Sequence, residues 1–331
     1  MKTRQLGRTG LTVSHLGLGL AALGRPGYVN LGHAEDLEHH YEVETMRART
    51  HDVLDEAWRL GVRYFDAARS YGRAEEFLAG WLASRSVKPR EVVVGSKWGY
   101  TYTAGWRVEA EHHEIKDHSL PTLRRQIGES RALLGGHLDL YQIHSVTPES
   151  GVLADAAVLA ELARLRETGV RIGLTLSGPG QAEVLLRALA VEVDGERLFA
   201  TVQATWNLLE RSAGAALQAA HDAGLGVIVK EALANGLLTE RNHDPEFDGR
   251  RRVLSALARD RGTTIDAIAL GAVLARPWAD VALSGAASVE QLRSNLRACD
   301  VTWNEDIEEQ LAELTQAPED YWSKRRRLAW N

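Results

Sequence analysis

Three apolar runs of strand length end on an ionisable side chain: VRYFD on Asp66, VVVGSK on Lys97 and LDLYQIH on His144, with Tyr71 five residues beyond the first. Under the two-residue alternation of a strand, Val62, Tyr64 and Asp66 share one face, as do Val93, Gly95 and Lys97, and Leu140, Gln142 and His144. Each polar group is then the last inward residue of its strand. A carboxylate buried there is costly without a cation beside it, and Lys97 on the next strand is the cation on offer. Acid, amine, imidazole and phenol around one mouth suit proton transfer to or from an oxygen that gains charge during reaction. A phenol alone titrates near pH 10, so Tyr71 needs a positive neighbour to release its proton readily. Singly, each group has a blander reading, as a capping acid, a surface lysine or a satisfied core histidine. Their coincidence at three strand ends speaks for a site.

The elements that must position these groups repeat along the chain. Strand-length runs at 62–65, 92–95, 138–143, 170–174, 200–204, 225–229 and 281–284, after a first near Leu16 to Leu18, alternate with helix-period segments at 45–61, 74–85, 120–135, 154–169 and 289–298. Eight strands separated by helices predict an α/β fold with a parallel sheet closed as a (β/α)8 TIM barrel, one domain over 1–331, entered through a Gly-turn β-hairpin within 5–19. An open doubly wound sheet is the competing fold, but LGLG lacks the third glycine of a dinucleotide fingerprint and opens no helix. Segments 24–44 and 98–118 follow strands and predict long loops over the C-terminal face, where barrel enzymes keep their sites. The second loop carries Trp98, Tyr100, Tyr102 and Trp106, aromatics that either cover the mouth or line a substrate site. Trp98, Tyr100 and Trp106 are the substrate candidates.

Composition narrows the class. With 331 residues, 44% of them hydrophobic, the chain can bury a large core. A net charge of −6 argues against a nucleic-acid partner. The single cysteine, Cys299, rules out an internal disulfide and fits a reducing cytoplasm. No apolar h-region opens the chain and no stretch has about 20 apolar residues in a row, so no membrane partner is expected. HAEDLEHH at 33–40 and EHHEIKDH at 111–118 bring histidines and carboxylates together without a closed ligand spacing, so they read as solvated loops and no metal is expected. Lys324 to Arg327 read as the basic end of a helix, complementing its dipole.

From LGRTGLTVSHLGLG through FDAARSYG, GSKWG, LDLYQIH, VQATWN and LSGAASVEQLRSN, nearly the whole chain resembles the aldo-keto reductase family. The resemblance implies that Asp66, Tyr71, Lys97 and His144 are a catalytic tetrad: Tyr71 the general acid, Lys97 its charged neighbour held by Asp66, and His144 the group that orients a carbonyl oxygen. It implies a nicotinamide cofactor held by Gly19, Asp66, Thr175, Ser177, Gln203 and Lys230, with Gly285, Ser288, Gln291 and Asn295 around a helix N-terminus at the adenosine end. Three places depart from the family pattern. Leu176 stands in place of an Asn, with Ser177 as the replacement; Lys230 stands where a ring stacks on the nicotinamide; Glu231 and Ala232 replace a Ser-Pro pair. NADP(H) is the cofactor the resemblance implies. NAD(H) is the alternative, because Ala287 and Gln291 occupy positions where NADPH-preferring members carry Arg or Lys, leaving Arg293 as the nearby base. The expected partner is a small aldehyde, ketone, sugar or matching alcohol, and the expected protein a monomer or weak oligomer. A regulatory or ligand-binding barrel with little turnover is the other reading.

Overall fold

Where the apolar runs alternate with amphipathic segments, β-branched and aromatic side chains extend the backbone and the intervening helices cover the sheet that results. The computed structural model describes residues 1–331. Its barrel strands are β1 (Leu16–Gly19), β2 (Tyr64–Asp66), β3 (Val93–Trp98), β4 (Leu138–Val146), β5 (Arg171–Leu176), β6 (Thr201–Thr205), β7 (Gly226–Lys230) and β8 (Val281–Ser284). All pair in parallel in sequential order, and β8 closes on β1. The outer layer consists of α1 (Val43–Arg59), α2 (Ala74–Ser84), α3 (Leu120–Leu134), α4 (Ala156–Glu167), α5 (Gln181–Leu189), α6 (Gly214–Asp222), α7 (Asp248–Asp260), α8 (Ile265–Leu274) and α9 (Val289–Leu296), followed by α10 (Glu305–Ala312) and α11 (Pro318–Arg326). The (β/α)8 expectation holds, and so does the hairpin, with Thr3–Gln5 antiparallel to Thr12–Ser14.

Two hydrophobic layers result. The larger lies between barrel and helices, and a smaller one of Leu6, Val13, Tyr64, Val93, Leu140, Ile228, Val281 and Leu283 fills the barrel, with Leu6 and Val13 of the hairpin among its members. Several strands run one to three residues further than their apolar runs. Those added residues carry the polar groups: Asp66, Lys97, His144, Thr175 and Lys230. Gly95 allows this layer to form, because a Cβ there would lie 2.6 Å from the Tyr64 hydroxyl and 3.5 Å from Asp66 Oδ1. The long loop after β3 folds as a ribbon, Tyr100–Tyr102 against Glu114–Lys116, and the loop after β1 carries a single helical turn, His33–Asp36.

Candidate active site

Asp66, at the end of β2, is 2% exposed and Lys97, at the end of β3, 1% exposed. The Lys97 ammonium is ion-paired to Asp66 Oδ2 and donates to the Ala67 carbonyl at 2.9 Å and to the Tyr71 hydroxyl at 3.3 Å. The other carboxylate oxygen, Oδ1, accepts from Gln203 Nε2 at 2.9 Å, Tyr64 OH at 3.2 Å and Gln142 Nε2 at 3.4 Å. The buried charge pair therefore keeps the hydrogen bonds it needs. Tyr71 owes its position to the turn after β2. Ala67 N donates to Gly95 O, Arg69 N to Lys97 O and Arg73 N to Gly24 O, while Gly72 takes the left-handed conformation, φ 58°, that ends the turn. Beneath that turn, buried Glu75 accepts from Arg69, Ser96 and Ser130. Sequence reasoning missed Glu75, because its partners come from three separate elements.

His144 completes the group, with Nε2 3.5 Å from the Tyr71 hydroxyl and Nδ1 3.5 Å from Ser70 Oγ. Burial, reinforced by the charges of Lys97, Lys230 and Arg25, holds the imidazole well below its usual titration range, so it is neutral at physiological pH. Burial also drives the Tyr71 phenol well above its usual range and Asp66 adds to this, while Arg25 opposes it. Burial and the Asp66 charge outweigh the cations beside it, and Tyr71 rests protonated at neutral pH.

The tetrad opens onto a cavity of about 580 Å³ that Asp66, Tyr71 and His144 line from below. Gly19, Gln203 and Lys230 line it too, and at its far end so do Gly285, Gln291 and Asn295, so these six predicted cofactor residues meet there. Thr175 and Ser288 are spent on the protein: Thr175 Oγ1 accepts from Ser145 N at 2.7 Å, and Ser288 Oγ caps α9 by accepting from Gln291 N at 3.2 Å. Ser177 is half-buried and lies off the cavity wall. The substrate aromatics need correction. Trp98 alternates with the inward Lys97, so it faces the helices in the outer core, and Trp106 donates its indole N–H to Tyr41 O and packs on Phe77. None of the three lines the cavity; Tyr100 stands edge-on to His144 at 5.0 Å, behind the tetrad wall.

The aromatic side chains that reach the tetrad come from places the sequence did not connect. Tyr28, Tyr71 and Trp330 surround the Arg25 guanidinium at 4.8–5.2 Å, and Trp330 stacks on His113 at 3.9 Å. The Lys324–Arg327 run is also more than a basic helix end. Arg325 turns inward, its Nε donating to Glu231 Oε1 at 2.9 Å; Thr205 Oγ1 donates to Glu231 Oε2 at 3.1 Å; and Lys230 Nζ donates to Thr205 Oγ1 at 2.9 Å. Glu231 has φ 55°, a strained value for a side-chain-bearing residue, held by Asn207 Nδ2 donating to its carbonyl at 2.9 Å. In the 33–40 cluster, His33 is fully buried rather than solvated, and burial pushes it down to about 4. No three His, Cys, Asp or Glu side chains converge on a metal-sized site.

A dinucleotide suits the chemistry of this cavity. It joins the tetrad to backbone and amide groups near the α9 N-terminus, and Asn235 in its wall holds a buried side-chain oxygen without a protein partner. At the far end, Thr264, Asp266, Gln291, Ser294 and Asn295 supply no cation, because Arg293 is turned away to Glu56 at 2.6 Å.

The barrel carries its buried acid, amine, imidazole and phenol together at one rim, an arrangement that can pass a proton. The Aldo/keto reductase family model matches residues 15–316, and the chain belongs to that family of oxidoreductases. It is 28% identical to the Bacillus subtilis protein described as uncharacterized oxidoreductase YrpG, over 96% of this chain and 97% of that one. It is 25% identical to pyridoxal 4-dehydrogenase of Microbacterium luteolum (97% and 95% covered) and 27% identical to L-galactose dehydrogenase of Arabidopsis thaliana (90% and 88%). Among solved structures, aldo-keto reductase AKR11C1 from Bacillus halodurans, in its holo form, superposes with a TM-score of 0.74 at 22% identity, covering 96% of this chain and 97% of that chain.

Proposed function

We propose that the protein interconverts a carbonyl and an alcohol on a small polar substrate, with Tyr71 as general acid for reduction and general base for oxidation. The observation that carries this reading is the Tyr71 hydroxyl within 3.5 Å of both Lys97 Nζ and His144 Nε2, on the wall of the cavity of about 580 Å³. A nicotinamide bound in that cavity would supply or accept the hydride, with Gln203, Gly285, Gln291 and Asn295 among the residues that hold the dinucleotide. Neutral His144 hydrogen-bonds the substrate oxygen and fixes its direction. Tyr71 delivers a proton to that oxygen as charge develops on it, and Lys97, anchored by Asp66, stabilises the phenolate left behind. Oxidation runs the same proton the other way.

Arg25, Glu114, Ser145 and Lys230 give the cavity a polar lining beside Tyr28 and Trp330, which favours a hydroxylated or heteroaromatic ring over a plain hydrocarbon. The dehydrogenases of L-galactose and pyridoxal among the relatives support a substrate of that kind. The resemblance alone implied NADP(H). The far end of the cavity, with Asp266 in its wall and Arg293 turned away, favours NAD(H), because an acid suits a ribose hydroxyl and repels a 2′-phosphate. The reading fits a cytoplasmic enzyme of small molecules. Tyr71→Phe is the decisive test: cofactor affinity should hold, while carbonyl reduction across a panel of aldehydes and sugars falls by about 10² to 10⁴. A variant as active as the wild type removes the mechanism.

A further inference from the structure

Lys230 ends β7 on its inward face, in the same alternation that puts Ile228 inside the barrel. The tetrad side chains belong to β2, β3, β4 and the turn after β2, so Lys230 stands across the mouth from them. Its ammonium has one hydrogen bond, to Thr205 Oγ1, and lies 3.7 Å from Glu231 Oε1. That same oxygen accepts from Arg325, so two cations share one carboxylate and the cluster keeps a net positive charge. The side chains are 16% exposed for Lys230, 8% for Glu231 and 25% for Arg325, so water screens this charge poorly.

A ring that exchanges hydride with a carbon whose oxygen rests on Tyr71 and His144 would lie over the mouth, in the same cavity that Lys230 lines. Alcohol oxidation moves two electrons and a proton, as hydride, from the carbinol carbon to the ring, and the hydroxyl proton to Tyr71, which enters the step as the phenolate. The ring's charge falls from +1 to 0 in that step. We propose that the ammonium of Lys230 makes the site discriminate between the two redox forms of the nicotinamide, binding the neutral reduced ring more tightly than the cationic oxidised ring and drawing the bound equilibrium towards alcohol oxidation. This rests on the nicotinamide reading above and gives the departure at residue 230 a physical role. Lys97 contributes less of this bias, because Asp66 is ion-paired to it and offsets much of its charge.

The test compares dissociation constants for NADH and NAD⁺, or for the 2′-phosphorylated pair if that pair binds, by calorimetry and fluorescence near pH 7. It uses the wild type, Lys230→Met and Lys230→Arg, each checked for an intact fold by its ligand-free melt. Wild type and Lys230→Arg should favour the reduced form. Lys230→Met should lower the oxidised-to-reduced ratio of constants by roughly tenfold, mostly through tighter binding of the oxidised form, as a unit charge several ångströms away in a poorly screened site requires. Equal weakening of both forms would overturn the proposal and make Lys230 a ligand of the phosphates; an unchanged ratio with unchanged constants would overturn it as well. If the wild type binds neither form, the nicotinamide reading itself fails and takes this inference with it.

Discussion

Tyr71 and Lys97 lie 3.3 Å apart, yet substitutions at the two should separate catalysis from stability in different ways. Removing the Lys97 ammonium leaves Asp66 with three neutral donors, Gln203, Tyr64 and Gln142, so the carboxylate loses its counter-charge but not its hydrogen bonds. Lys97→Met should therefore lose at least about a hundredfold in turnover while its melting temperature falls by only a few degrees; a collapse of the fold with turnover per folded molecule intact would refute that assignment. The pH profile is equally specific. Because the phenol is held high and the imidazole low, neither titrates between pH 6 and 9, and burial, only partly offset by Glu231, brings Lys230 down to about 8. Lys230 is faced by Thr205 on β6, Glu231 beside it, Arg325 and Trp322 on α11, the Lys97 charge and the neutral His144 ring. As pH rises through about 8 the ammonium loses its charge, so the preference for the reduced cofactor should be full below that point and fade above it. Lys230→Met should show a flat dependence, and a wild-type ratio constant from pH 6 to 10 would exclude this origin.

At the scale of elements, α11 and the segment after it act as a brace across the barrel mouth. Arg325 ties α11 to the end of β7, and Tyr28 exchanges two backbone hydrogen bonds with Asn331, at 3.1 and 3.2 Å, fastening the loop after β1. Burial alone would raise the Glu231 carboxyl, but Arg325 and Lys230 outweigh it and bring it down to about 2. A folded-state value below the unfolded one adds stability that is complete above about pH 5 and is lost as pH falls through about 2. Glu231→Gln should thus cost about 2 kcal/mol at pH 7, a cost that shrinks as the medium is acidified. Equal destabilisation at pH 7 and pH 3, read from denaturant curves, would show that the ion pair contributes nothing. This brace also marks where the sequence stops being informative. The eight strands were legible because Val, Ile and Leu repeat in strand-length runs, and Asp66, Lys97 and His144 because alternation carries the inward face one step past each run. Nothing local joins Arg325 to Glu231, 94 residues earlier, or Trp330 to Arg25. Trp98 misled because β3 runs on through it, so alternation turns it outward into the helix layer, and Trp106 because an aromatic on a loop near the mouth can turn to either side.

Over the whole molecule, the cavity runs between two ends whose charge environments differ. Near the tetrad, Arg25, Lys97, Lys230 and Arg325 stand among Asp66, Glu114 and Glu231, whereas α8, α9 and the strand between them offer Asp266 and amides with no cation. A dinucleotide bound along this length couples both ends to the fold, because a ligand that binds only the native barrel stabilises it by mass action. At about 100 times its dissociation constant the gain is about 2.7 kcal/mol. For 331 residues, with an unfolding entropy of about 2.1 cal/mol/K per residue, that raises the melting temperature by about 4 °C. NADH at a fixed concentration should therefore shift the melt by several degrees more than NADPH. Gln291→Arg places a guanidinium on the cavity wall at the far end and should close much of that gap by improving NADPH alone, while the loss of the Gln291 Oε1 bond to Ala287 N, 2.8 Å in the wild type, lowers the ligand-free melt slightly. If NADPH already stabilises the wild type as strongly as NADH, the 2′-phosphate finds its cation elsewhere in the cavity, with Arg241, which is paired to Asp36 on the same wall, as the residue to substitute next.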